Sequence, residues 1–211
     1  MYNKGEDNMK RLLIYSGGFD STCLLVDLLA NHEDDELELM YFDYNQRNLE
    51  EELKRVYYMA ERFDLTTTII PLPEFEHVNN ISLNEESEDN NTHYIPMRNL
   101  IFVSHALSYA QANNIKEVYF GFILPPEEGG YCDAIKPFIT WLNMFTEQEG
   151  IKVVAPYISY PKSALKEIFD ATDFDRDTFF SCNVPVRNEE GELVPCGVCA
   201  DCEYINEIFE M

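Results

Sequence analysis

Apolar and polar residues along this chain follow two periods, which predict strands and helices in alternation. Short apolar runs rich in β-branched and aromatic residues predict strands at 11–15, 37–43, 66–70, 117–121 and 152–155. Apolar residues spaced three and four apart predict amphipathic helices at 22–30, 49–63, 99–113, 135–148 and 163–170. Most of the chain therefore has the order of repeated strand–helix–strand units.

The repeated units predict an α/β fold with a doubly wound, mostly parallel five-stranded sheet and helices on both of its faces. Ligands of such sheets bind in a crevice beyond the carboxyl ends of the strands. Polar residues follow three of the predicted strands at that edge, at 16–18, at 43–46 and after Gly121. We therefore expect one ligand crevice built from three strand ends.

Composition and charge narrow the class of protein. The chain has 211 residues, of which 45% are hydrophobic, enough for one sizeable packed domain. Its formal net charge of −24 repels a phosphate backbone and disfavours polynucleotide partners. The sequence contains no run of about 18 apolar residues and no secretory signal pattern at its start. These features predict a cytoplasmic protein that acts on a small molecule.

A strand–glycine–helix junction, YSGGFDST at 15–22, carries the first chemical signal. The backbone N–H groups around Gly17 and Gly18 and the start of the following helix form a natural phosphate site. Asp20 would act through Mg²⁺, which prefers oxygen ligands. A tight turn followed by a helix that Asp20 or Ser21 caps explains the same residues equally well. The hydroxyls that can donate to bound phosphate are those of Ser16, Ser21 and Thr22.

Four of the six cysteines lie close together near the C-terminal end, in the pattern C-x13-C-x2-C-x2-C. In a chain without a secretory signal, such clustering indicates a metal site rather than disulfides. Four thiolates favour tetrahedral Zn²⁺ in a closed structural site, and an iron–sulfur cluster with similar spacing stays an alternative. The predicted ligands are Cys182, Cys196, Cys199 and Cys202.

The motif S-G-G-x-D-S at 16–21 resembles the PP-loop of the ATP pyrophosphatases, which split ATP into AMP and pyrophosphate while activating a carboxylate or carbonyl. Together with the cysteine pattern, it resembles the 7-cyano-7-deazaguanine synthase family of the queuosine pathway. DYNQRNLEE, YIPMRNLIF and GGYCDAIKPFI look like further motifs of that family. The resemblance implies an ATP-dependent carbon–nitrogen ligase that makes 7-cyano-7-deazaguanine from 7-carboxy-7-deazaguanine and ammonia. It further implies ATP, Mg²⁺ and Zn²⁺ as cofactors, and a homodimer.

The resemblance also implies roles for single residues. The implied catalytic residues are Asp20, Arg98 and Lys162. The implied nucleotide-binding residues are Tyr15, Ser16, Gly17, Gly18, Phe19, Asp20, Ser21, Thr22, Gln46 and Arg47. The implied substrate-binding residues are Asn99, Glu127, Tyr131 and Asp133. Without the resemblance, Arg98 and Lys162 can be solvated surface cations, an alternative that explains Lys162 nearly as well. Gln46 and Asn99 are explained equally well as ordinary turn and cap residues. We divide the chain into a flexible tail (1–10), a nucleotide-binding domain (11–175) and a zinc-binding segment (176–211).

The chain departs from the family motifs at Asn45, where the family has glycine, and at Asn48, where it has histidine. The segment 122–136, which is expected to read the deazapurine, diverges most. Three alternatives therefore stay open. The first is a homologue that stops at the amide or activates another carboxylate, in a modified-DNA or defence pathway. The second is a nucleotide- and zinc-binding interaction protein without turnover. The third is a tRNA-modifying PP-loop enzyme, which the charge disfavours.

Overall fold

A computed structural model of the chain describes residues 8–72, 95–123, 132–161 and 163–210. Within these ranges the chain forms a five-stranded sheet with helices on both faces, and a separate two-stranded hairpin. The middle of the divergent segment 122–136 lies outside the described residues. So do three of the predicted site residues, Glu127, Tyr131 and Lys162.

The main sheet is parallel throughout and has the order β3-β2-β1-β4-β5. Its strands are β1 Lys10–Ile14, β2 Glu36–Asp43, β3 Thr66–Pro71, β4 Glu117–Phe120 and β5 Lys152–Val154. The parallel sheet predicted from the sequence is confirmed. The order reverses between β1 and β4, which is where such sheets bind their ligands. A short antiparallel hairpin, β6 Val186–Arg187 with β7 Leu193–Val194, was not predicted.

The helices of the described ranges follow the predicted order. They are α1 Phe19–Asn31, α2 Leu49–Phe63, α3 Arg98–Ala112, α4 Lys136–Thr146, α5 Ser163–Asp170 and α6 Ala200–Glu210. The helix α4 is shorter than predicted, because a 3-10 turn at Glu147–Glu149 replaces its last turn. The helix α6 was not predicted. None of these described helices is both long and apolar enough to cross a membrane.

The sheet separates two apolar cores. Successive side chains of a strand point to opposite faces, and in β1 this places the fully buried Leu12 and Leu13 in different cores. Val103 of α3 and Leu142 of α4 pack in the core of Leu12. The core of Leu13 is covered by α1, α2, α5 and α6, through apolar residues such as Leu24, Val56, Leu165 and Ile205. Helices thus cover both faces, as a doubly wound sheet requires.

Aromatic rings hold the C-terminal part of the chain against the start of α1. The centroid of the Phe19 ring lies 5.1 Å from that of Phe179, 5.6 Å from that of Phe169 and 5.8 Å from that of Phe209. Ring pairs at such distances contribute roughly 0.5–1.5 kcal/mol each beyond the area they bury. The segment that follows α5 is therefore fixed next to the glycine junction.

Candidate functional site

A cavity of about 300 Å³ lies at the carboxyl ends of β1, β2 and β4, where the sequence predicts a ligand crevice. Its walls come from the glycine junction, the segment after β2, the start of α3 and the segment 180–183. This volume is in the lower part of the range for small-molecule sites. The predicted site residues that line it are Tyr15, Ser16, Gly18, Phe19, Asp20, Ser21, Gln46, Arg98 and Asn99. The predicted catalytic, nucleotide-binding and substrate-binding residues that are described but do not line it are Gly17, Thr22, Arg47 and Asp133, and none of the four predicted metal-binding cysteines lines it.

Close backbone contacts explain two glycines at this cavity. Gly17 has a φ of +75°, which side chains rarely adopt, and a Cβ there would lie 3.0 Å from the carbonyl oxygen of Glu52. A Cβ on Gly121, just after β4, would lie 3.2 Å from the backbone nitrogen of Ser21. Contacts this short leave no room for a side chain, so the end of β4 is held directly against the first turn of α1.

The helix α1 begins at Phe19, with Gly18 as its N-cap and no capping side chain. Asp20 and Ser21 lie inside the first turn and line the cavity. The alternative in which Asp20 or Ser21 caps the helix is therefore wrong. The N–H of Phe19 donates a hydrogen bond of 2.9 Å to the hydroxyl of Ser181, so a residue of the C-terminal segment holds the first amide of the helix.

The three predicted hydroxyls have different positions. Ser16 Oγ accepts a hydrogen bond from the N–H of Gly18 at 3.2 Å and lies 3.1 Å from Ser21 Oγ. Both serines line the cavity. Thr22 is buried, and its hydroxyl lies 3.1 Å from that of Tyr15. Ser16 and Ser21 can therefore reach a ligand in the cavity, whereas Thr22 supports the junction from behind.

The segment after β2 explains one departure from the family motif. Asn45 has a φ of +60°, a left-handed conformation that asparagine tolerates better than most residues, so it can replace the usual glycine. Its N–H donates to Asp43 Oδ1 at 3.1 Å. Gln46 is buried at the cavity and accepts a hydrogen bond from the N–H of Tyr44 at 3.0 Å. The next residue, Arg47, is half-buried beside the cavity.

A buried carboxylate that the sequence analysis did not single out lies at the centre of a polar network. Glu52 Oε2 accepts hydrogen bonds from the Tyr41 hydroxyl at 2.7 Å and from Gln46 Nε2 at 2.9 Å. Glu52 Oε1 accepts one from Asn48 Nδ2 at 2.8 Å. Asn48 Nδ2 also donates to the carbonyl oxygen of Cys182 at 3.1 Å. The asparagine that replaces the family's histidine thus links this carboxylate to the cysteine segment.

Burial raises the pKa of Glu52, although hydrogen bonds from Gln46 and Tyr41 and the positive charge of Arg98 oppose the shift. A carboxylate in this environment holds a proton more readily than an exposed one. Sequence patterns alone give little sign of it, since an acidic residue in the first turn of a helix is usually solvent-exposed and favoured by the helix dipole.

Arg98 is the first residue of α3 and lines the cavity. Its guanidinium donates to the Tyr44 hydroxyl at 3.2 Å and lies over the rings of Tyr44 and Phe102, 5.7 Å and 5.8 Å from their centroids. The Phe102 ring is in turn stacked on Phe42, with centroids 4.2 Å apart. Aromatic packing and cation–π contact orient the cation, so the alternative of a solvated surface position does not describe Arg98.

Two predicted substrate-binding residues contact each other. Asp133 Oδ2 accepts a hydrogen bond from the N–H of Asn99 at 2.9 Å, and Asn99 Nδ2 donates to the carbonyl oxygen of Asp133 at 3.3 Å. Asp133 is only 3% exposed and satisfies a free N–H in the first turn of α3. Asp133 thus holds the start of α3, while Asn99 itself lines the cavity.

The four predicted metal ligands come together in one cluster. The Sγ atoms of Cys182, Cys196, Cys199 and Cys202 all lie within 4.8 Å of one another. Pairs of sulfur atoms lie 3.9 Å and 4.0 Å apart, too far for disulfides. The interaction with the Cys182 thiol lowers the pKa of Cys199, and the backbone N–H groups of Cys202 and Asn183 add to this, although burial opposes the shift. Such a set of soft donors fits a metal ion that prefers thiolates.

Phe180 and Ser181, which precede the first cysteine of the cluster, contact the glycine junction. The N–H of Phe180 donates to the carbonyl oxygen of Gly17 at 2.9 Å. A Cβ on Gly18 would lie 3.6 Å from Ser181 Oγ, an ordinary van der Waals contact. Together with the bond from Asn48 to Cys182, these contacts form a seam between the segment 180–183 and the cavity. No sequence signal pointed to Ser181 as part of the site.

Known proteins resemble the chain over almost its whole length. A family model described as "Queuosine biosynthesis protein QueC" matches residues 10–211. The chain is similar to the 7-cyano-7-deazaguanine synthase of Nostoc punctiforme, at 31% identity over 220 residues, with 92% of each chain covered. It is also similar to the synthase of Clostridium kluyveri, at 29% identity over 228 residues, covering 95% of this chain and 93% of the relative.

The fold is also similar to that of solved structures, of which one is an NMN synthetase. The NMN synthetase from Francisella tularensis aligns with a TM-score of 0.50 at 13% identity, covering 83% of this chain and 66% of that chain. At this identity the likeness concerns the fold alone.

Proposed function

The chain belongs to the QueC family of queuosine biosynthesis proteins, and from this premise we propose that it makes 7-cyano-7-deazaguanine from 7-carboxy-7-deazaguanine, ammonia and ATP. The observation that carries the proposal is one cavity that combines the glycine junction, the first turn of α1 and the Arg98 guanidinium. The names of the curated relatives agree with this activity. The alternatives without turnover or with another acceptor are not favoured.

The reaction needs ATP because a carboxylate has no good leaving group. The substrate carboxylate attacks the α-phosphate of ATP, so pyrophosphate leaves and an acyl adenylate forms. Ammonia then attacks the carbonyl carbon, and AMP leaves to give the amide. The amide oxygen attacks the α-phosphate of a second ATP, so pyrophosphate leaves and one N–H proton is released. The adenylated intermediate then loses AMP and the remaining N–H proton, which leaves the nitrile.

The glycine junction would hold the phosphates during both activations. The positive dipole end of α1 would favour the phosphates, and Ser16 and Ser21, which line the cavity, would add hydroxyl donors. Arg98 would stabilise the negative charge that passes to pyrophosphate. We assign the same role to Lys162. We propose that Asn99, Glu127 and Tyr131 bind the deazapurine, and that Asp133 supports this binding by holding Asn99.

Mg²⁺ would neutralise charge on the departing pyrophosphate. Asp20 is the ligand that we assign to it, because this carboxylate lines the cavity in the first turn of α1, and Mg²⁺ prefers oxygen ligands.

The cysteine cluster would hold Zn²⁺ as a structural ion. A tetrahedral site with metal–sulfur bonds of about 2.3 Å has sulfur–sulfur edges of about 3.8 Å, close to the 3.9 Å and 4.0 Å between sulfur atoms here. An iron–sulfur cluster binds its cysteines through separate iron atoms and keeps them farther apart, so the spacing favours a single ion. Four free thiols also suit the reducing cytoplasm, where we place the protein.

Ammonia would be the nitrogen donor, and a small molecule rather than nucleic acid would be the acceptor. The net charge of −24 supports the exclusion of tRNA and DNA, because it repels phosphate backbones. A homodimer is also part of the proposal and rests on the family resemblance.

A product assay tests the function directly. The full chain is incubated with ATP, Mg²⁺, an ammonium salt and 7-carboxy-7-deazaguanine, and the products are identified by mass spectrometry. We expect the nitrile, with two AMP formed for each nitrile. Amide without nitrile would contradict the second activation, and an unchanged base would contradict the assigned acceptor.

Asp20→Asn tests the assignment of the Mg²⁺ ligand. We expect a fall in the rate of AMP formation on the order of 10²-fold or more, as for loss of one group that stabilises transition-state charge, and a weaker dependence on Mg²⁺ concentration. Asp34→Asn is the matched control, since Asp34 is exposed beyond the end of α1. If both variants turned over like the unsubstituted chain, Asp20 would have no such role.

A further inference from the structure

We propose that Glu52 is the proton acceptor for the nitrogen steps of the reaction, an assignment that rests on the proposed function. Glu52 lies on α2, lines the cavity and is only 8% exposed. None of the roles assigned above uses it. A buried carboxylate at the reaction cavity is costly unless it is paired or hydrogen-bonded, and here it is held by three hydrogen bonds.

The proton balance of the reaction requires an acceptor. When ammonia attacks the acyl adenylate, a C–N bond forms, the C–O bond to AMP breaks, and one N–H proton must leave for the neutral amide to remain. When the amide oxygen attacks the second ATP, an O–P bond forms, pyrophosphate leaves and a second N–H proton is released. When the adenylated intermediate collapses to the nitrile, its C–O bond to AMP breaks and the last N–H proton leaves. A carboxylate in the cavity can take the proton in each step and return it to water between steps.

The position of Glu52 fits this role. Glu52 lines the same cavity as Ser16, Gly18 and Ser21 of the glycine junction, where the proposed adenylate would form. The bonds from Tyr41 and Gln46 occupy Oε2, whereas Oε1 accepts one bond, from Asn48. A carboxylate oxygen can accept two hydrogen bonds. Oε1 therefore keeps capacity for an N–H donor of the reacting group.

The surroundings of Glu52 also fit. Its titratable and charged neighbours are Tyr41 on β2, Tyr44 in the following loop and Arg98 on α3. Burial keeps the pKa of Tyr44 above its usual value, so it stays a neutral phenol at pH 7 and does not compete as a base. Burial also raises the pKa of Glu52, and a carboxylate with a raised pKa is a stronger base near neutral pH.

The test separates activation from proton transfer. ATP–pyrophosphate exchange that depends on 7-carboxy-7-deazaguanine reports adenylation of the carboxylate, which releases no proton and needs no acceptor. Formation of amide and nitrile reports the nitrogen steps. In zinc-loaded Glu52→Gln we expect exchange within about threefold of the unsubstituted chain, and formation of amide slower on the order of 10²-fold or more. Glu50→Gln, an exposed change of the same charge on the same helix, should leave both rates unchanged.

The pH dependence of the two rates, measured on the unsubstituted chain, gives a second test. This test does not depend on whether a variant folds. Glu52 accepts a proton only as a carboxylate, so amide formation should fall as pH drops through its raised pKa, at constant free ammonia. The rate of ATP–pyrophosphate exchange should not show this fall at low pH. The proposal is overturned if both rates share one profile, if Glu52→Gln lowers both rates alike, or if it lowers neither. Absence of exchange in the unsubstituted chain would instead refute the proposed function, and the role of Glu52 with it.

Discussion

Single residues determine how closely the backbone can approach at the cavity. At Gly17 two separate constraints apply, a φ of +75° and a neighbouring carbonyl oxygen 3.0 Å from the place of a Cβ. We expect Gly17→Ala to lower the free energy of unfolding by roughly 1–3 kcal/mol, the cost of a strained backbone residue, and to weaken ATP binding because the junction must move. Chemical denaturation and calorimetric titration with ATP measure the two effects.

Gly191→Ala is the matched control for this prediction. Gly191 has a similar φ of +84°, but no atom lies within 4 Å of its Cβ position. This variant should show only the cost of the left-handed backbone, about 1–2 kcal/mol, with ATP affinity unchanged. Equal effects of the two variants on ATP affinity would mean that the close approach at Gly17 is unimportant.

The residues of the site were predictable where their chemistry is local. The motif at 16–21 and the cysteine spacing predicted side chains that the fold brings together at the cavity and in the cluster. The contact between Asp133 and Asn99 was not predicted, because the hydrogen bond to the N–H of Asn99 spans 34 positions and no sequence period reports it. Glu52 was missed because its burial depends on Tyr41 and Gln46, which lie on other elements.

At the scale of elements, strands and long helices were predictable because each has a period that repeats several times. The helix α6 was missed because it begins at Ala200, inside the cysteine motif. The residues of its first turn were interpreted as part of a metal site rather than as the start of an amphipathic helix. The hairpin of β6 and β7 has two residues in each strand, too few to show any alternation. Short elements are specified here by their contacts rather than by their own sequence.

From the seam between the segment 180–183 and the cavity, we expect the cysteine cluster to affect the affinity for ATP. Ser181 holds the N–H of Phe19 and lies one residue from a proposed metal ligand. Cys199→Ser, or removal of the metal by a chelator, should therefore weaken ATP binding on the order of tenfold, the effect of losing about 1–2 kcal/mol of hydrogen bonds that order the helix start. Calorimetric titration with ATP measures the change without any turnover.

Cys132→Ser is the control for this prediction, since Cys132 is an exposed free thiol outside the cluster. Restoring zinc to the chelated chain should restore ATP affinity. An unchanged ATP affinity after chelation would show that the seam holds without the metal.

At the scale of the whole molecule, the charge opposes folding. Fifteen basic and 39 acidic residues make the folded chain repel itself, and salt screens this repulsion as the Debye length falls from about 30 Å at 0.01 M to about 8 Å at 0.15 M. We expect the melting temperature to rise over this range of NaCl, by a few degrees for a stabilisation of about 1 kcal/mol. Thermal scans by circular dichroism measure it, with glucose at equal osmolality as the control. A melting temperature that fell or stayed constant would contradict the prediction.

The sheet order has a consequence for how the chain folds as it is made. The strand β1 is central and pairs with β2, 26 positions away, but also with β4, 106 positions away. During synthesis the first three strands are complete long before β4 leaves the ribosome, so one side of β1 is an open sheet edge in that interval. Open edges of this kind recruit other chains and favour aggregation. The cavity needs the end of β4 against α1 and is accordingly among the last features to form. A nascent chain that stalls before β4 therefore has no complete nucleotide site, and bound nucleotide cannot stabilise it.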